Sequence, residues 1–299
     1  MKMLFNLRQI GAFAILILAV TACKKDVSTL NDNANVQMSP AFKSNTNNVE
    51  GITFYALGGN RLDKYQTSNP EMMISSATIT GLQTGDTILG IDFRPATGEL
   101  YALGSNSRLY TINPISGMST YVADLSTIPM GSTTAVPLTL SGSSFGFDFN
   151  PVVDRIRIVS NTGQNLRANP TTGVTIVDGS INPQPASVNG VAYGNNQAGV
   201  TTTKLYAFDV ATGNLFSIIP PNNGTLAEAN DTKLKLTGDG GFDIAPRSLN
   251  VTSDIGLGLY EVDKKSTLFR IDLTTGQTKI LAKYDKEVMY SAIAISAGN

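Results

Sequence analysis

Short runs of alternating apolar and polar residues recur along the chain from residue 51 onward, and none has the spacing of an amphipathic helix. One such run carries a tyrosine, or in one copy an arginine, in its second position. Its copies occupy residues 54–57, 100–103, 156–159, 205–208 and 259–262. The second position advances by 46, 56, 49 and 54 residues. A period of about 50 residues built from short strands predicts a repeated β-sheet unit.

Each copy is followed by further strand-like runs and a turn. Four turns begin with proline or leucine and end with glycine, at residues 114–117, 170–173, 221–224 and 273–276. This pattern suits a hairpin built on a type I turn, because glycine accepts a positive φ. Another run precedes every group except the first, at residues 90–93, 146–149, 190–193 and 241–244, and its fifth copy at 292–295 ends the chain.

Five repeats of four short strands predict an all-β fold, a five-bladed β-propeller over residues 51–299. The first repeat lacks its inner strand, while the last residues supply an inner strand with nothing after it. Pairing the C-terminal strand with the N-terminal blade would close the ring and leave no open sheet edge. A two-sheet sandwich and an open β-solenoid are the alternatives. A solenoid, however, does not require that the first repeat lack an inner strand and that the last strand supply it.

The first 22 residues predict an export signal. Lys2 and Arg8 precede an apolar run at residues 10–20, which is too short for a permanent transmembrane helix and suits the core of a signal peptide. The sequence Val-Thr-Ala-Cys at 20–23 resembles the lipobox of bacterial lipoproteins, which implies that Cys23 is acylated and becomes the mature N-terminus. The alternative is an ordinary cleaved signal with an incidental cysteine.

Residues 23–50 are predicted to be a lipidated cysteine and a disordered tether, because they are rich in Asn, Ser and Thr and have no apolar period. Lys24 follows the cysteine where lipoproteins retained at the inner membrane often carry aspartate. We therefore expect an extracytoplasmic protein attached to the outer membrane through its N-terminal lipid, facing either the periplasm or the cell surface.

The composition excludes several classes of chemistry. The chain has no histidine and one cysteine, so Ser-His-Asp and Cys-His catalysis, imidazole metal ligands and an intrachain disulfide are not available. The net charge of −1 argues against a nucleic-acid partner, and no glycine-rich phosphate loop precedes a helix, so nucleotide binding is not expected either.

Aspartate occupies the same inner-strand position in three repeats, as Asp92, Asp148 and Asp243, whereas the other two have Ala192 and Ala294. Inner strands line a propeller axis, so the carboxylates are expected to converge. Three interpretations remain open: hydrogen bonds to the backbone of a neighbouring blade, a Ca²⁺ site, or an acid and base for glycoside cleavage. The first is favoured.

The third repeat departs from the others by its arginines and amides. Where other copies have tyrosine, it has Arg157, with Arg155 on the same face of the strand. The candidate ligand-binding residues are Arg155, Arg157, Arg167, Asn161, Gln164 and Asn165. Guanidinium groups bind anions by paired hydrogen bonds, but the arginines could instead pair with acids between blades. The loops at 126–143, 178–187 and 222–239 are the longest insertions and are further candidates for binding.

Two segments resemble an uncharacterised bacterial family, a domain of unknown function found in exported proteins. They are LGIDFRPATGELYALG at 89–104 and FGFDFNPVVDRIRIVSNTGQNLR at 145–167. The resemblance covers about residues 51–296. It implies a propeller-like all-β domain outside the cytoplasm and no particular activity, so it assigns no catalytic residue.

Together these observations predict a lipid-anchored, extracytoplasmic binding or scaffold module for a protein, an anionic small molecule or a glycan. The first alternative is a glycosidase-like hydrolase that uses the axial aspartates. The second is a structural protein of the envelope without a small ligand.

Overall fold

The computed structural model describes residues 51–247, 253–285 and 287–297. These ranges form β-strands and one short 3-10 helix at Pro221–Asn223, and they contain no helix long and apolar enough to cross a membrane. The predicted signal peptide (1–22), Cys23 and the tether (23–50) lie outside the described residues.

Five small sheets form five blades, each with an inner strand at the axis. Blade 1 contains β1 (Thr53–Gly58), β2 (Arg61–Gln66) and β3 (Ser75–Thr78). Blade 2 contains β4 (Ile88–Phe93), β5 (Leu100–Gly104), β6 (Arg108–Ile112) and β7 (Ser119–Asp124). The connection to blade 3 contains β8 (Ser126–Thr127) and β9 (Val136–Pro137). Blade 3 contains β10 (Phe145–Asn150), β11 (Arg155–Ser160), β12 (Asn165–Ala168) and β13 (Val174–Val177).

The last two blades repeat the same order. Blade 4 contains β14 (Val188–Tyr193), β15 (Leu205–Asp209), β16 (Asn214–Ile218) and β17 (Leu226–Asp231). Blade 5 contains β18 (Leu236–Ala245), β19 (Ile255–Val262), β20 (Lys265–Ile271) and β21 (Thr278–Lys283). The last strand of the described residues, β22 (Ala292–Ile295), returns to blade 1 as its inner strand.

The ring closes as predicted from the phase of the repeats. Strand β22 pairs antiparallel with β1, in a register that places Phe54 opposite Ile295 and Leu57 opposite Ala292. The inner strands β4, β10, β14, β18 and β22 contact one another in this order around the axis, and β22 also contacts β4. The five-bladed propeller is therefore confirmed, with its first sheet built from both ends of the domain.

Blade 3 is larger than the predicted four strands. Strand β8 pairs parallel with β13, and β9 pairs with β8, so that the connection from blade 2 extends the outer edge of this sheet to six strands. The long insertion at 126–143 is thus partly a sheet edge rather than a simple loop.

In blade 5 the observed strand register differs from the alignment predicted from the sequence repeat. Tyr55, Tyr101, Arg157 and Tyr206 each lie opposite the inner-strand position of Asp92 or its equivalent, but in blade 5 the residue opposite Asp243 is Leu257. Tyr260, which the sequence pattern aligned with these tyrosines, lies opposite Gly240 instead. The shift of three residues places it on the other face of the strand.

Glycines let the inner strands approach the axis closely. A Cβ atom added to Gly146 would lie 2.7 Å from the backbone nitrogen of Val191, and one added to Gly241 would lie 2.6 Å from that of Ile293. At this level the space between the strands is a cavity of about 10 Å³, so the middle of the axis is almost filled. Two open cavities lie towards the two ends of the inner strands.

Candidate functional site

The three predicted aspartates link neighbouring blades. One oxygen of each carboxylate accepts a hydrogen bond from the backbone amide of the next inner strand. The bonds run from Phe149 N to Asp92 Oδ2 (2.8 Å), from Tyr193 N to Asp148 Oδ2 (2.8 Å) and from Ile295 N to Asp243 Oδ2 (2.6 Å). This geometry agrees with the first of the three interpretations, in which each carboxylate accepts a hydrogen bond from the backbone of a neighbouring blade.

The same three carboxylates also converge on the axis. One oxygen from each lies within 4.8 Å of the others, and the residues are 2%, 1% and 2% exposed for Asp92, Asp148 and Asp243. Burial raises the pKa of Asp92 and Asp148 well above the ordinary range, and the neighbouring carboxylates raise it further. Burial also raises the pKa of Asp243, to about 7.

One oxygen of this group lacks a partner. Asp92 Oδ1 is buried and accepts no hydrogen bond from the described residues. A carboxylate oxygen without a donor in a dry site is unfavourable, since desolvation is not compensated. The spacing of the carboxylates would suit a retaining glycosidase pair, but a sugar needs access that such buried groups do not offer.

Arg157, the lead candidate for ligand binding, is enclosed by protein acceptors. It is 1% exposed, and its pairing with Asp178 joins it to the turn between β13 and β14. Its hydrogen bonds run from Nη1 to Asn165 Oδ1 (2.7 Å) and Asp178 Oδ2 (2.7 Å), from Nη2 to Asn222 Oδ1 (2.9 Å) and from Nε to Tyr193 Oη (3.3 Å). Every guanidinium nitrogen therefore donates to the protein, and a ligand-binding role for Arg157 stays a prediction.

Of the two other arginines of blade 3, Arg167 shares Asp178 with Arg157, whereas Arg155 lies apart from this network. Arg167 donates to both oxygens of Asp178, and this hydrogen bonding raises the pKa of Arg167. Arg155 is exposed and donates to the carbonyl oxygens of Val153 and Asp154. The acid that pairs with the buried arginine is Asp178, in the turn between β13 and β14.

The amides of blade 3 bind loop backbone. Gln164 Oε1 accepts from Ser141 N (2.9 Å), and Gln164 Nε2 donates to Thr139 O (3.0 Å). Asn161 Oδ1 accepts from Ser143 N (3.0 Å), while Asn165 Nδ2 donates to two carbonyl oxygens. Gln164 and Asn161 therefore fasten the end of the 126–143 insertion to blade 3.

A polar cavity of about 340 Å³ opens where the inner strands of blades 3, 4 and 5 begin, and we call it the loop mouth. The ends of all three long insertions meet there. Its polar lining residues are Ser143, Ser144, Asn161, Ser187, Asn189, Thr237 and Asp239. Of the six candidates in blade 3, only Asn161 reaches it.

Asn189 lies at the base of the loop mouth and was not singled out from the sequence. It is 3% exposed, and its Nδ2 donates to Ser144 Oγ at 3.0 Å, while its Oδ1 has no partner among the described residues. A signal was present, because Leu89 and Phe145 precede the inner-strand glycine in blades 2 and 3 where blade 4 has this asparagine.

A second cavity of about 210 Å³ lies where the inner strands end, and we call it the strand-end mouth. Phe93, Pro246 and Ile295 supply apolar lining, and Arg94 reaches it while paired with Asp154. Asn196 also lines it, is 3% exposed, and donates from Nδ2 to Ile244 O at 3.1 Å. Its Oδ1 has no partner among the described residues.

The fold and these cavities define a five-bladed β-propeller with a nearly filled axis, a polar mouth at one end and an apolar mouth at the other. A family model described as domain of unknown function (DUF4394) matches residues 61–294. The chain belongs to this family. No curated protein matches it.

Several solved structures are similar to the chain. A chain of a nidogen/laminin complex is 11% identical, with 82% of this chain and 98% of that chain covered and a TM-score of 0.48. A structural genomics protein of unknown function from Bacteroides thetaiotaomicron is 16% identical, with coverage of 78% and 58% and a TM-score of 0.45. A chain of a mitotic checkpoint complex is 9% identical, with coverage of 83% and 81% and a TM-score of 0.43.

Proposed function

We propose that the protein is a lipid-anchored, extracytoplasmic binding module that holds a glycan in the loop mouth. The observation that carries this proposal is the buried amide of Asn189, which lies at the base of a polar cavity with one atom unpaired. A buried polar atom without a partner is uncommon in folded proteins and is satisfied when a ligand supplies the missing hydrogen bond.

The lining of the loop mouth favours a ligand rich in hydroxyl groups. A serine or threonine hydroxyl can both donate and accept a hydrogen bond. The side-chain amides of Asn161 and Asn189 each contain one donor group and one acceptor atom. Such a lining matches the hydroxyl groups of a sugar, which also donate and accept. The cavity of about 340 Å³ falls within the size range of small-molecule sites.

Charge favours a glycan over an anionic small molecule. Asp239 is exposed at this mouth, and no arginine or lysine is among the residues that line the cavity. The guanidinium of Arg157, which would attract an anion, is enclosed elsewhere by Asp178 and three other acceptors. A neutral sugar therefore fits better than a carboxylate or phosphate.

The position of the site also suits recognition. Insertions that project from a rigid sheet scaffold are where binding residues concentrate, because they vary without disturbing the core. Here Ser143 and Ser187 lie just before the inner strands β10 and β14, and Thr237 lies at the start of the inner strand β18. These residues of three consecutive blades meet at one end of the axis.

A panel of neutral and acidic oligosaccharides tests the proposal by calorimetry. The wild-type protein is expected to bind a neutral glycan, and Asn189→Ala is expected to weaken that binding at least tenfold. Asn196→Ala is the matched control, since Asn196 is equally buried, also has an unpaired Oδ1 and lines the opposite mouth. Ser187→Ala at the rim supplies a second variant that leaves the axis intact.

Several outcomes would overturn the proposal. They are the absence of binding across the panel, equal weakening by the Asn189 and Asn196 variants, and a preference for acidic glycans. Cleavage of a bound glycan would make the protein a hydrolase rather than a binding module.

Membrane attachment through Cys23 is a separate part of the proposal. The intact mass of the mature protein is expected to include acyl chains on residue 23, and Cys23→Ser is expected to move the protein from the membrane fraction to the soluble fraction. Lys24 after the cysteine supports attachment to the outer membrane. An unmodified mass, or a serine variant that still sediments with membranes, would contradict it.

A further inference from the structure

The axial aspartates have a role beyond linking blades: we propose that Asp92, Asp148 and Asp243 together bind one Ca²⁺ ion on the propeller axis. The site is distinct from the loop mouth and does not depend on glycan binding. It is formed by three blades, with one carboxylate from each inner strand of blades 2, 3 and 5.

The hydrogen bonds of the carboxylates leave their charge uncompensated. In the described part of the chain, the hydrogen bonds that they accept come from backbone amides, and none comes from lysine or arginine. Asp92 Oδ1 has no hydrogen-bond partner among the described residues. Buried carboxylates this close need a cation or bound protons, because their mutual repulsion is strong in a dry interior.

The spacing is compatible with a calcium ion. The three oxygens lie within 4.8 Å of one another, so an ion placed between them would be no more than about 2.8 Å from each. Calcium–oxygen distances of about 2.3–2.6 Å are reached by small side-chain shifts, whereas magnesium requires about 2.0–2.1 Å and a strict octahedron. The donor set, carboxylate oxygen alone, is the one that hard cations prefer.

The strand-end mouth supplies an independent second observation. Phe93 and Ile295, which line that cavity, directly follow inner-strand positions of the axial row, at Asp92 and Ala294. Asn196 donates to the carbonyl of Ile244, the residue after Asp243, and its buried Oδ1 has no donor within the described part of the chain.

This cavity of about 210 Å³ lies next to the axial row, because Phe93 and Ile295 line it. An amide oxygen without a donor can bind a cation directly or a water molecule of the cation's hydration shell. The end of the axis where the inner strands end is therefore the side from which we expect the ion to approach.

The two alanines of the axial row fit the same interpretation. Ala192 and Ala294 are fully buried and occupy the positions equivalent to the aspartates in blades 4 and 1. A ring of five carboxylates would leave a large excess of negative charge around one divalent ion. Three carboxylates leave a net charge of −1 and free space for water on the side of the alanines.

Metal analysis and thermal unfolding of the purified protein test the inference. After treatment with a chelator and addition of Ca²⁺, one equivalent of calcium is expected to remain bound through desalting. At a Ca²⁺ concentration 100-fold above Kd, Tm is expected to rise by about 5–10 °C. Mg²⁺ at the same concentration is expected to raise Tm by less than half as much.

Asp92→Asn is the variant that separates metal binding from a structural role. The amide still offers an oxygen to Phe149 N but lacks the charge, so calcium affinity is expected to fall at least tenfold, while Tm in chelator is unchanged or higher. Asp209→Asn is the matched control, because Asp209 is also 2% exposed and also accepts from backbone amides, at Ser187 and Ala211. It is expected to keep the full calcium response.

The wild-type measurement keeps the inference falsifiable even if a variant fails to fold. No calcium retained by the wild-type protein together with an unmoved Tm at millimolar Ca²⁺ would overturn it. So would an equal loss of response in the Asp92 and Asp209 variants, or an equal response to Mg²⁺ and Ca²⁺.

Discussion

Replacement of Arg157 by alanine is expected to destabilise the propeller strongly, because this side chain joins blade 3 to blade 4. It is almost fully buried, and its partners come from both blades: Asn165 from β12, Asn222 from the 3-10 helix of blade 4, and Tyr193 from β14. Its ion pair with Asp178 is also buried, with the carboxylate side chain only 5% exposed.

The expected loss of folding free energy depends on Asp178, the buried carboxylate that loses its arginine partner. Removal of one partner of a buried ion pair costs about 3–5 kcal/mol, since the other charge stays buried without compensation. Arg167 still pairs with Asp178, which places the expected loss near the lower end, about 3 kcal/mol. For a domain of this size each kcal/mol lowers Tm by about 2–4 °C, so Tm is expected to fall by about 6–12 °C.

Arg155→Ala is the control for this measurement. Arg155 lies two residues away on the same strand but is exposed and donates only to nearby carbonyl oxygens. Its loss is expected to change the free energy of unfolding by no more than about 0.5 kcal/mol in urea titrations. If Arg157→Ala left Tm within 2 °C of the wild type and abolished binding of an anionic ligand, the structural assignment would be wrong and the ligand-binding prediction would be right.

Three further outcomes are expected. Burial alone raises the pKa of Asp86, but hydrogen bonds from Tyr110, a backbone amide and Arg108 outweigh burial and leave the pKa below the ordinary value. The ionised carboxylate therefore stabilises the fold above about pH 4. This contribution is lost as the pH falls through the folded-state pKa. Asp86→Asn should therefore lower Tm at neutral pH, and the difference should shrink in acid; a constant difference would contradict this. Gly241→Ala should destabilise by about 1–3 kcal/mol in urea, because its Cβ would overlap the backbone of the closing strand β22, and an unchanged midpoint would refute that packing. Tyr290→Phe should cost about 1–2 kcal/mol by the same assay through loss of its 2.8 Å hydrogen bond to buried Asp63, whereas a neutral effect would mean that this bond is dispensable.

The number of blades and the closure of the ring could be predicted from the sequence because both follow from period and phase. Each blade repeats the same apolar alternation, so the count needs no knowledge of packing. The lone inner-strand run at 292–295 has no outer strands after it, and only the first repeat lacks an inner strand. The observed pairing of Phe54 with Ile295 is the direct consequence.

The alignment of blade 5 failed because its sequence supports two registers. Strand β19 reads IGLGLYEV, in which glycine alternates with isoleucine or leucine over the first five positions. The position opposite Asp243 can be matched either by Leu257 or, on the basis of residue type alone, by Tyr260. Packing decides between them: Tyr260 stacks near Phe208 of blade 4 and Phe269 of β20, an interaction that no periodicity reveals.

The partners of the candidate residues were harder to predict than the residues themselves. Arg157 stood out because it replaces a tyrosine of the repeat, but the acid that neutralises it lies 21 residues further along, in a loop. Asn222 is 65 residues away and meets Arg157 only because adjacent blades lie side by side. A long-range ion pair of this kind leaves no local pattern in a single sequence. The sequence therefore does not distinguish an arginine that is enclosed by protein acceptors from one that is available to a ligand.

Departures from the repeat nevertheless mark the positions where this scaffold differs chemically from blade to blade. At the axis, equivalent positions carry aspartate in three blades and alanine in two, and one oxygen from each aspartate lies within 4.8 Å of the others. One position before the inner-strand glycine, Asn189 replaces the apolar residues of blades 2 and 3 and lies at the base of the loop mouth. Both departures place a buried oxygen, Asp92 Oδ1 or Asn189 Oδ1, that has no donor among the described residues. The hydrogen bond that each side chain makes accounts for its other polar atom, Asp92 Oδ2 or Asn189 Nδ2, and leaves the desolvation penalty of this oxygen uncompensated. The proposed binding of a cation at one level and of a hydroxyl-rich ligand at the other would supply the missing partners of these two oxygens.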